Sequence, residues 1–477
     1  MSFEQTTLGL VCDIGSSKRI KMADYMDSGV PFFRSKEIIE LSKGNDISTE
    51  LYISIDQYKS IDEKFGSPDE GDILLTSVGT LGVPYQVERD RLPFYFKDGN
   101  LTWLKNFKSN VNPRWVYYWL TSGLGQQKIE QISIGSTQKA ITIIGLKSIE
   151  IEVPSIEQQN YIVKVLDSLN SKIRTNRQIN QSLEEMAQAM FKSWFVDFDP
   201  VKAKMEVLEQ GGSEQEALLT TMSIISGKSE DELEVMKNEK PEEYSELEST
   251  AKLFPSSMVE SELGLIPEGW KFSPFEDNLS KTIGGDWGKE EPDEKHQEKV
   301  KIIRGTDLPN LKSGKDSTPL RYVESKKLKS RELMHGDIVI EVSGGSPKQP
   351  TGRSILITKT LKKNIGLRVE PASFCRLFRP KSEELSYLIS CHLEYIYNDG
   401  KMWGYQNQST GISNFQTKVF LSKEMLVIPC NKVLRLFSQQ IKPILSMKYE
   451  SETKNLEDLR DSLLPKLLSG EIEVANA

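Results

Sequence analysis

The chain has 477 residues, of which 37% are hydrophobic and 27% charged, and its net charge is −8. This composition is globular, and the length exceeds one hydrophobic core, so two or three domains are expected. Four scattered cysteines (Cys12, Cys375, Cys391 and Cys430) without a C-x-x-C pair, and only three histidines, exclude a disulfide scaffold, a zinc ribbon and clustered-imidazole chemistry.

The first residues, MSFEQTTLGL, lack a basic stretch followed by an apolar run, and no apolar run is long enough to span a bilayer. A cytoplasmic protein with no membrane partner is expected. Short β-branched stretches bounded by Gly, Pro or Asp predict strands at 52–55, 72–78 and 148–153, with a helix over 113–131. Two loops stand out: "TSVGTLG" at a strand end, with Thr76, Ser77 and Thr80, and "IGSTQKAI", with Ser136, Thr137, Gln138 and Lys139.

From Glu157 to Phe195 an apolar seam falls at Ile162, Leu166, Leu169, Ile173, Asn176, Asn180, Leu183, Ala187, Met190 and Trp194. Steps of four and three are coiled-coil spacing, and the two asparagines are register-fixing seam positions. About 38 residues make a rod of roughly 57 Å. Residues 199–268 then hold 17 acids against 6 bases, about −11, so the rest of the chain is slightly basic. This stretch reads as an acidic, partly helical linker.

The remainder repeats the beginning at an offset of about 265–275 residues. "VPFFRSKEI" (30–38) corresponds to "VKIIRGTDL" (300–308), which aligns Arg34 with Arg304 and places Lys36 nearby. "GDILLTSVG" (71–79) corresponds to "GDIVIEVSG" (336–344). The second pair of loops holds Ser343, Ser346, Lys348, Gln349 and Arg353, then Gln406, Asn407, Gln408, Ser409 and Thr410. A helix over 383–400 matches that over 113–131, and a seam through Phe437, Ile441, Leu445, Tyr449, Glu452, Leu456, Leu459 and Leu463 matches the first. Pro443 predicts a kink near its start. The fold class is α+β, with two pseudo-symmetric α/β domains joined by two long antiparallel coiled-coil helices. The expected boundaries are 1–155, 156–198 (central helix), 199–262 (linker), 263–430 and 431–477 (C-terminal helix).

Catalytic parts are missing. No phosphate-binding P-loop exists, since Met222 stands where the first glycine before "GKS" belongs. No N-P-P-[YF] tetrapeptide is present. "DIVIEVS" has Ser343 where a D…E-x-K nuclease needs lysine, and Thr76 replaces Glu341 in the first copy, so Glu341 reads as part of a strand with one exposed polar face. Cys391 and His392 read as a packed helix, and no metal ligand set is expected. The loops instead suit DNA. Glycines and small hydroxyls allow close backbone approach to phosphate, amides reach adenine edges, and Arg and Lys read guanine. A common frame with different loop tips fits two readers of different half-sites.

At "FKSWFVDFDPVKAKME" (191–206), "LGLIPEGW" (263–270), "LRDSLLPKLLSGEIEV" (459–474) and "VPSIEQQNYIV" (153–163) the chain resembles the specificity subunit of Type I restriction–modification systems over essentially its whole length. The resemblance implies a non-catalytic subunit whose two target-recognition domains each read half of a bipartite site in double-stranded DNA. It implies that Leu166, Leu169, Ile173, Asn176, Asn180, Leu183 and Met190 pair with Leu445, Leu456, Leu459 and Leu463. The helix pair then sets the unread spacer and docks two modification (methyltransferase) and two restriction (motor-nuclease) subunits. S-adenosylmethionine, ATP and magnesium would belong to those partners, leaving no cofactor here. "IPCNKVLRLF" (428–437) lacks the Glu157–Gln158 pair, so the second helix is expected to begin differently. A rod of this length separates two domains by about 35–50 Å, comparable to the 34–36 Å between major grooves on one DNA face. The rival from another class is a tandem-domain protein-interaction scaffold.

Overall fold

The computed structural model describes residues 3–45, 47, 49, 51–135, 139–261, 264–344, 349–409, 412–450 and 452–472. They divide into two compact units, Met1–Ile173 with Asn455–Ala477, and Arg174–Lys454.

The first unit holds a four-stranded antiparallel sheet in the order Asp13–Gly15, Leu101–Lys105, Ile73–Thr76, Pro84–Gln86. A second small sheet centres on Val30–Phe33, antiparallel to Tyr52–Ile53 and parallel to Tyr95–Phe96. Glu4–Thr7 pairs with Glu150–Val153, whose apolar residues alternate inward. In the second unit the same order and sense recur. Leu279–Gly284, Cys375–Pro380, Ile338–Glu341 and Ser354–Leu356 form the antiparallel sheet. His296–Ile303 lies antiparallel to Leu320–Glu324 and parallel to Val369–Pro371, and Lys271–Pro274 pairs with Met425–Ile428. The repeat in the sequence is therefore a repeat of topology. The second unit adds a hairpin of Gln406–Ser409 and Ile412–Phe415 that extends to Ser343–Gly344.

The helix α1 (Ile156–Phe195) is a single run of 40 residues. Its start is set by Ser155 and Gln158, which cap each other, and by buried Gln159, which donates to the carbonyls of Pro154 (2.8 Å) and Asn110 (3.0 Å). The second repeat supplies two helices, α2 (Asn431–Glu450) and α3 (Thr453–Leu468). The interruption falls between Glu450 and Thr453, while Pro443 stays inside α2. Thr favours helix ends over interiors, which fits a new start at Thr453.

Pairing runs antiparallel within each unit. In the second, Glu184 on α1 pairs with buried Lys448 on α2 at 2.8 Å, and further along α1 Phe191, Trp194 and Phe195 pack round Phe437. In the first, Leu166 shares a core with Leu467 and Leu468 of α3, and Arg460 Nη1 donates to Asn170 Oδ1 at 3.1 Å. Of the seam residues on α1, Ile162, Leu166, Ile173, Ala187 and Trp194 are buried, while Leu169, Asn176, Asn180, Leu183 and Met190 are half-buried. Leu445 and Leu463 are half-buried and Leu456 is buried. Leu459 departs from the expected pattern: it is 45% exposed. Because α3 is a separate helix, the phase of α2 does not carry into it, and Arg460 takes the inward place between Leu456 and Leu463.

The acidic stretch is more ordered than a linker. It forms helices at Asp199–Glu209, Glu214–Ser226, Glu230–Glu239 and Pro241–Ala251, with capping boxes at Ser213–Glu216 and Ser229–Glu232. Met222, Leu233 and Ala251 form a small core beneath them. Among the described residues no helix is long and apolar enough to cross a membrane.

The glycines of the two "GDI" triplets hold the turn into the central strand. Gly71 has φ +89° and Gly336 φ +88°, a region that L side chains avoid. A Cβ on Gly71 would meet open space, whereas one on Gly336 would fall 2.9 Å from Ser386 Oγ. Gly71→Ala should therefore cost its unit about 1–2 kcal/mol in urea unfolding. Gly336→Ala should cost more, by the added contact.

Candidate nucleic-acid interface

Each "GDI" aspartate anchors its strand to the neighbouring long strand. Asp72 accepts from Trp103 Nε1 at 2.8 Å, and Asp337 takes both prongs of Arg379 at 2.7 Å. The strand exit is then pinned by the same four backbone hydrogen bonds in both units. In the first, Thr76 N donates to Val83 O (3.1 Å), Gly82 N to Thr76 O (2.9 Å), Ser77 N to Asn100 O (2.8 Å) and Ile141 N to Ser77 O (2.9 Å). In the second, Glu341 N donates to Arg353 O (2.8 Å), Gly352 N to Glu341 O (3.2 Å), Val342 N to Phe374 O (2.9 Å) and Phe415 N to Val342 O (2.9 Å). What differs is the loop between the pins, short at 77–81 and longer at 342–351.

In the first unit the turn at Gly99–Leu101 gathers several sequence candidates. Asn100 O accepts from Ser77 N and from Ser35 Oγ (3.4 Å), which sits between Arg34 and Lys36. Thr80 and Lys36 are exposed at this end. Lys139 is half exposed and pairs with Glu130 at 3.1 Å. Arg34 folds back on buried Glu37, Nη2 to Oε1 at 2.9 Å. Burial alone would raise the Glu37 carboxyl, but the Arg34 hydrogen bonds outweigh it and hold it below the usual range. Arg304 does the same with buried Asp307 (2.7 Å). Both arginines thus lie at equivalent places, each with its guanidinium turned onto an acid.

Thr76 and Ser77 are buried and not surface groups. Thr76 Oγ1 accepts from Val83 N at 2.9 Å, and Ser77 Oγ is shared with Thr102 Oγ1 at 2.5 Å, so both hydroxyls serve the frame. Ser136, Thr137, Gln138, Ser346, Lys348 and Thr410 lie outside the described residues, as do the side chains of Gln408 and Ser409.

In the second unit Ser343 Oγ donates to Asn414 Oδ1 at 2.9 Å, and Gln406 Oε1 accepts from Thr351 N at 3.0 Å. Gln349 and Asn407 are exposed, and Asn407 Oδ1 accepts from Gln416. Arg353 is engaged inward, its guanidinium bidentate on Glu341 at 2.8 and 2.6 Å. This overturns the reading of Glu341 as part of an exposed polar face. Strand Ile338–Glu341 is central, paired on both edges and buried throughout, and Glu341 is tolerated there because Arg353 neutralises it. Gly305 and Gly344 leave room for its carboxylate.

Residues 2–185 match the family model described as the Type I restriction modification DNA specificity domain. The chain is similar to the Type I restriction enzyme HindI specificity subunit of Haemophilus influenzae, 28% identical over 412 residues, which are 84% of this chain and 87% of that one. It is also similar to the MjaIX specificity subunit of Methanocaldococcus jannaschii, 22% identical over 96% of this chain and 90% of that one. The crystal structure of the Type I system S subunit from M. genitalium shares the fold, with a TM-score of 0.53, 14% identity and coverage of 98% and 96%. Over most of its length the chain is similar to Type I restriction specificity subunits. The family model spans the first sheet system and most of α1, and the same topology recurs beyond its range in the second unit.

Sequence reasoning missed the polar anchor of the added hairpin. Glu424, fully buried, accepts from His392 Nε2 (2.8 Å), Lys401 Nζ (2.9 Å) and Tyr405 Oη (2.6 Å), which lead into strand Gln406–Ser409. The expectation of a packed helix at Cys391–His392 omitted this partner because it lies 32 residues away in sequence. Burial alone would raise the Glu424 carboxyl, but the hydrogen bond and charge of His392, then Tyr405 and Lys401, bring it down to about 2. A depressed carboxylate stabilises fully above its unfolded value near 4.5, and the contribution is lost as pH falls towards 2. Melting curves between pH 5 and 3 should therefore fall more steeply for the native chain than for Glu424→Gln, which should start lower at pH 7. Glu341→Ala should destabilise the second unit by roughly 3 kcal/mol, because it strands the Arg353 charge. Replacing Thr76, its counterpart, with Ala should cost only about 1 kcal/mol in the same denaturant series.

Proposed function

We propose that the two units each read one half of a bipartite sequence in double-stranded DNA, through the loops pinned at 77–82 with 139–142 and at 342–353 with 406–415. The observation that carries this reading is the pairing of one conserved set of four backbone hydrogen bonds with loops of different length and chemistry. A recognition protein needs such a frame with interchangeable tips: backbone pins hold position, and side chains beyond them specify. As a DNA-recognition subunit the chain is non-catalytic. We further assign the helices α1, α2 and α3 the spacing of the half-sites and the docking of two modification and two restriction subunits. On this reading those partners bring S-adenosylmethionine, ATP and magnesium, and the assembly works in the cytoplasm.

Genome-wide mapping of methylated adenines, with and without this gene, tests the proposal directly. A bipartite motif that disappears with the gene is expected, and an unchanged methylation pattern would refute it. Replacing Thr80, Gln138 and Lys139 together should change one half of that motif and leave the other half and the spacer intact, read by the same mapping. Change in both halves would contradict the assignment of one unit to one half-site.

A further inference from the structure

Strands Asp13–Gly15 and Ile73–Thr76 both lie antiparallel to Leu101–Lys105, one on each side of it. They are therefore parallel to each other, and their C-terminal ends leave the sheet at the same end. Two strand spacings separate these exits, roughly 10 Å, close to the major-groove width of about 12 Å. The second exit feeds the 77–82 loop. The first feeds a segment with no role so far, Ser16-Ser17-Lys18-Arg19-Ile20-Lys21-Met22.

This segment is held in place. Ser17 Oγ donates to Phe96 O at 2.8 Å, Lys18 N donates to Tyr95 Oη at 2.8 Å, and Ser16 Oγ accepts from Gly99 N at 3.4 Å. Ile20 is buried as an anchor in the core of Val30, Phe32, Ile53, Ile61 and Tyr95. With the backbone fixed and Ile20 inside, Lys18, Arg19 and Lys21 are left exposed. Lys18 Nζ stands 4.9 Å over the Phe65 ring, and none of the three forms an ion pair with a described residue. Next to them Met22 is 82% exposed, the most exposed large hydrophobic side chain among the described residues. Three cations and an apolar tip on a tethered loop, at the same sheet end as the 77–82 loop, match what duplex DNA offers: phosphates along the backbone, and thymine methyls and base steps that take an apolar side chain. In the second unit the equivalent strand exit runs into Asp286, Glu290, Glu291, Asp293 and Glu294 against Lys289 and Lys295, a net negative stretch.

We infer that Ser16–Met22 is a second DNA-contacting element of the first recognition domain, with Lys18, Arg19 and Lys21 on phosphates flanking the half-site and Met22 seated in the groove between them. The inference rests on the DNA-recognition reading and adds to it a residue set, a ligand group and an asymmetry between the two domains.

The test is salt-titrated binding of the full chain, in its assembled complex, to a duplex carrying the mapped motif and to a scrambled duplex. Native protein that does not distinguish the two would refute the recognition reading itself. With recognition intact, Lys18→Gln, Arg19→Gln and Lys21→Gln together should reduce the slope of log K against log salt by about 2–3, near 0.9 for each phosphate lost. Preference between the duplexes should persist, since phosphate contacts position without specifying. Arg19→Gln alone should reduce the slope by about 0.9. Met22→Ser should weaken binding several-fold at unchanged slope. An unchanged slope in the triple variant overturns the inference, and unchanged affinity in Met22→Ser removes Met22 from the contact. All four positions are solvent-facing, so melting temperatures should match the native chain and rule out misfolding as the cause.

Discussion

Both units depend on how one central strand is held where it leaves its sheet. Strands Ile73–Thr76 and Ile338–Glu341 are buried on both faces and paired on both edges, so their backbone groups have no solvent to turn to. Every donor and acceptor at the exit must find a protein partner, and the same four bonds meet that demand in each unit. Once those are made, the chain between Ser77 and Gly82, or between Val342 and Gly352, carries none of the four pins. Its length and side chains can change without disturbing the sheet.

The price of that freedom appears just below the loops. Where Thr76 completes the first frame with a hydroxyl, the second uses a buried carboxylate, and it is tolerable only because Arg353 comes back from the far side of the longer loop to meet it. The longer loop is therefore tied at its base by charge as well as by backbone. The hairpin beside it is tied the same way, through Glu424 to His392, Lys401 and Tyr405. Two fully engaged carboxylates hold the base of the loops in the second unit, while the first relies on hydroxyls and serine-to-carbonyl bonds.

The helices follow a different logic. Antiparallel pairing within each unit buries aromatic residues at the α2 end and leucines at the α3 end, with half-buried Asn176 and Asn180 between. Polar seam positions weaken packing but penalise any shift of register. For a chain whose proposed task includes a fixed spacing between two half-sites, register is the property that matters, and Asn170 with Arg460 adds a further directional contact.

Much of this was legible in the sequence. The offset repeat, the paired "GDI" triplets and the seam on α1 are local or periodic signals, and hydrophobic period reads directly from residue order. The family likeness was carried by contiguous segments for the same reason. What residue order could not supply were pairings across long separations. Arg353 neutralises Glu341, Glu424 gathers three residues from another helix and turn, and Arg460 displaces Leu459 from the seam only because α3 starts afresh at Thr453. The burial of Thr76 and Ser77, and the meeting of the Ser16–Met22 segment with the 77–82 loop at one sheet end, likewise depend on which strands lie side by side. Sequence by itself determined the repeat, the elements and the kind of protein, because those rest on local preference and period. Tertiary structure decided which polar groups stay exposed and which hold the frame, because burial and charge neutralisation are settled only when distant strands are brought together.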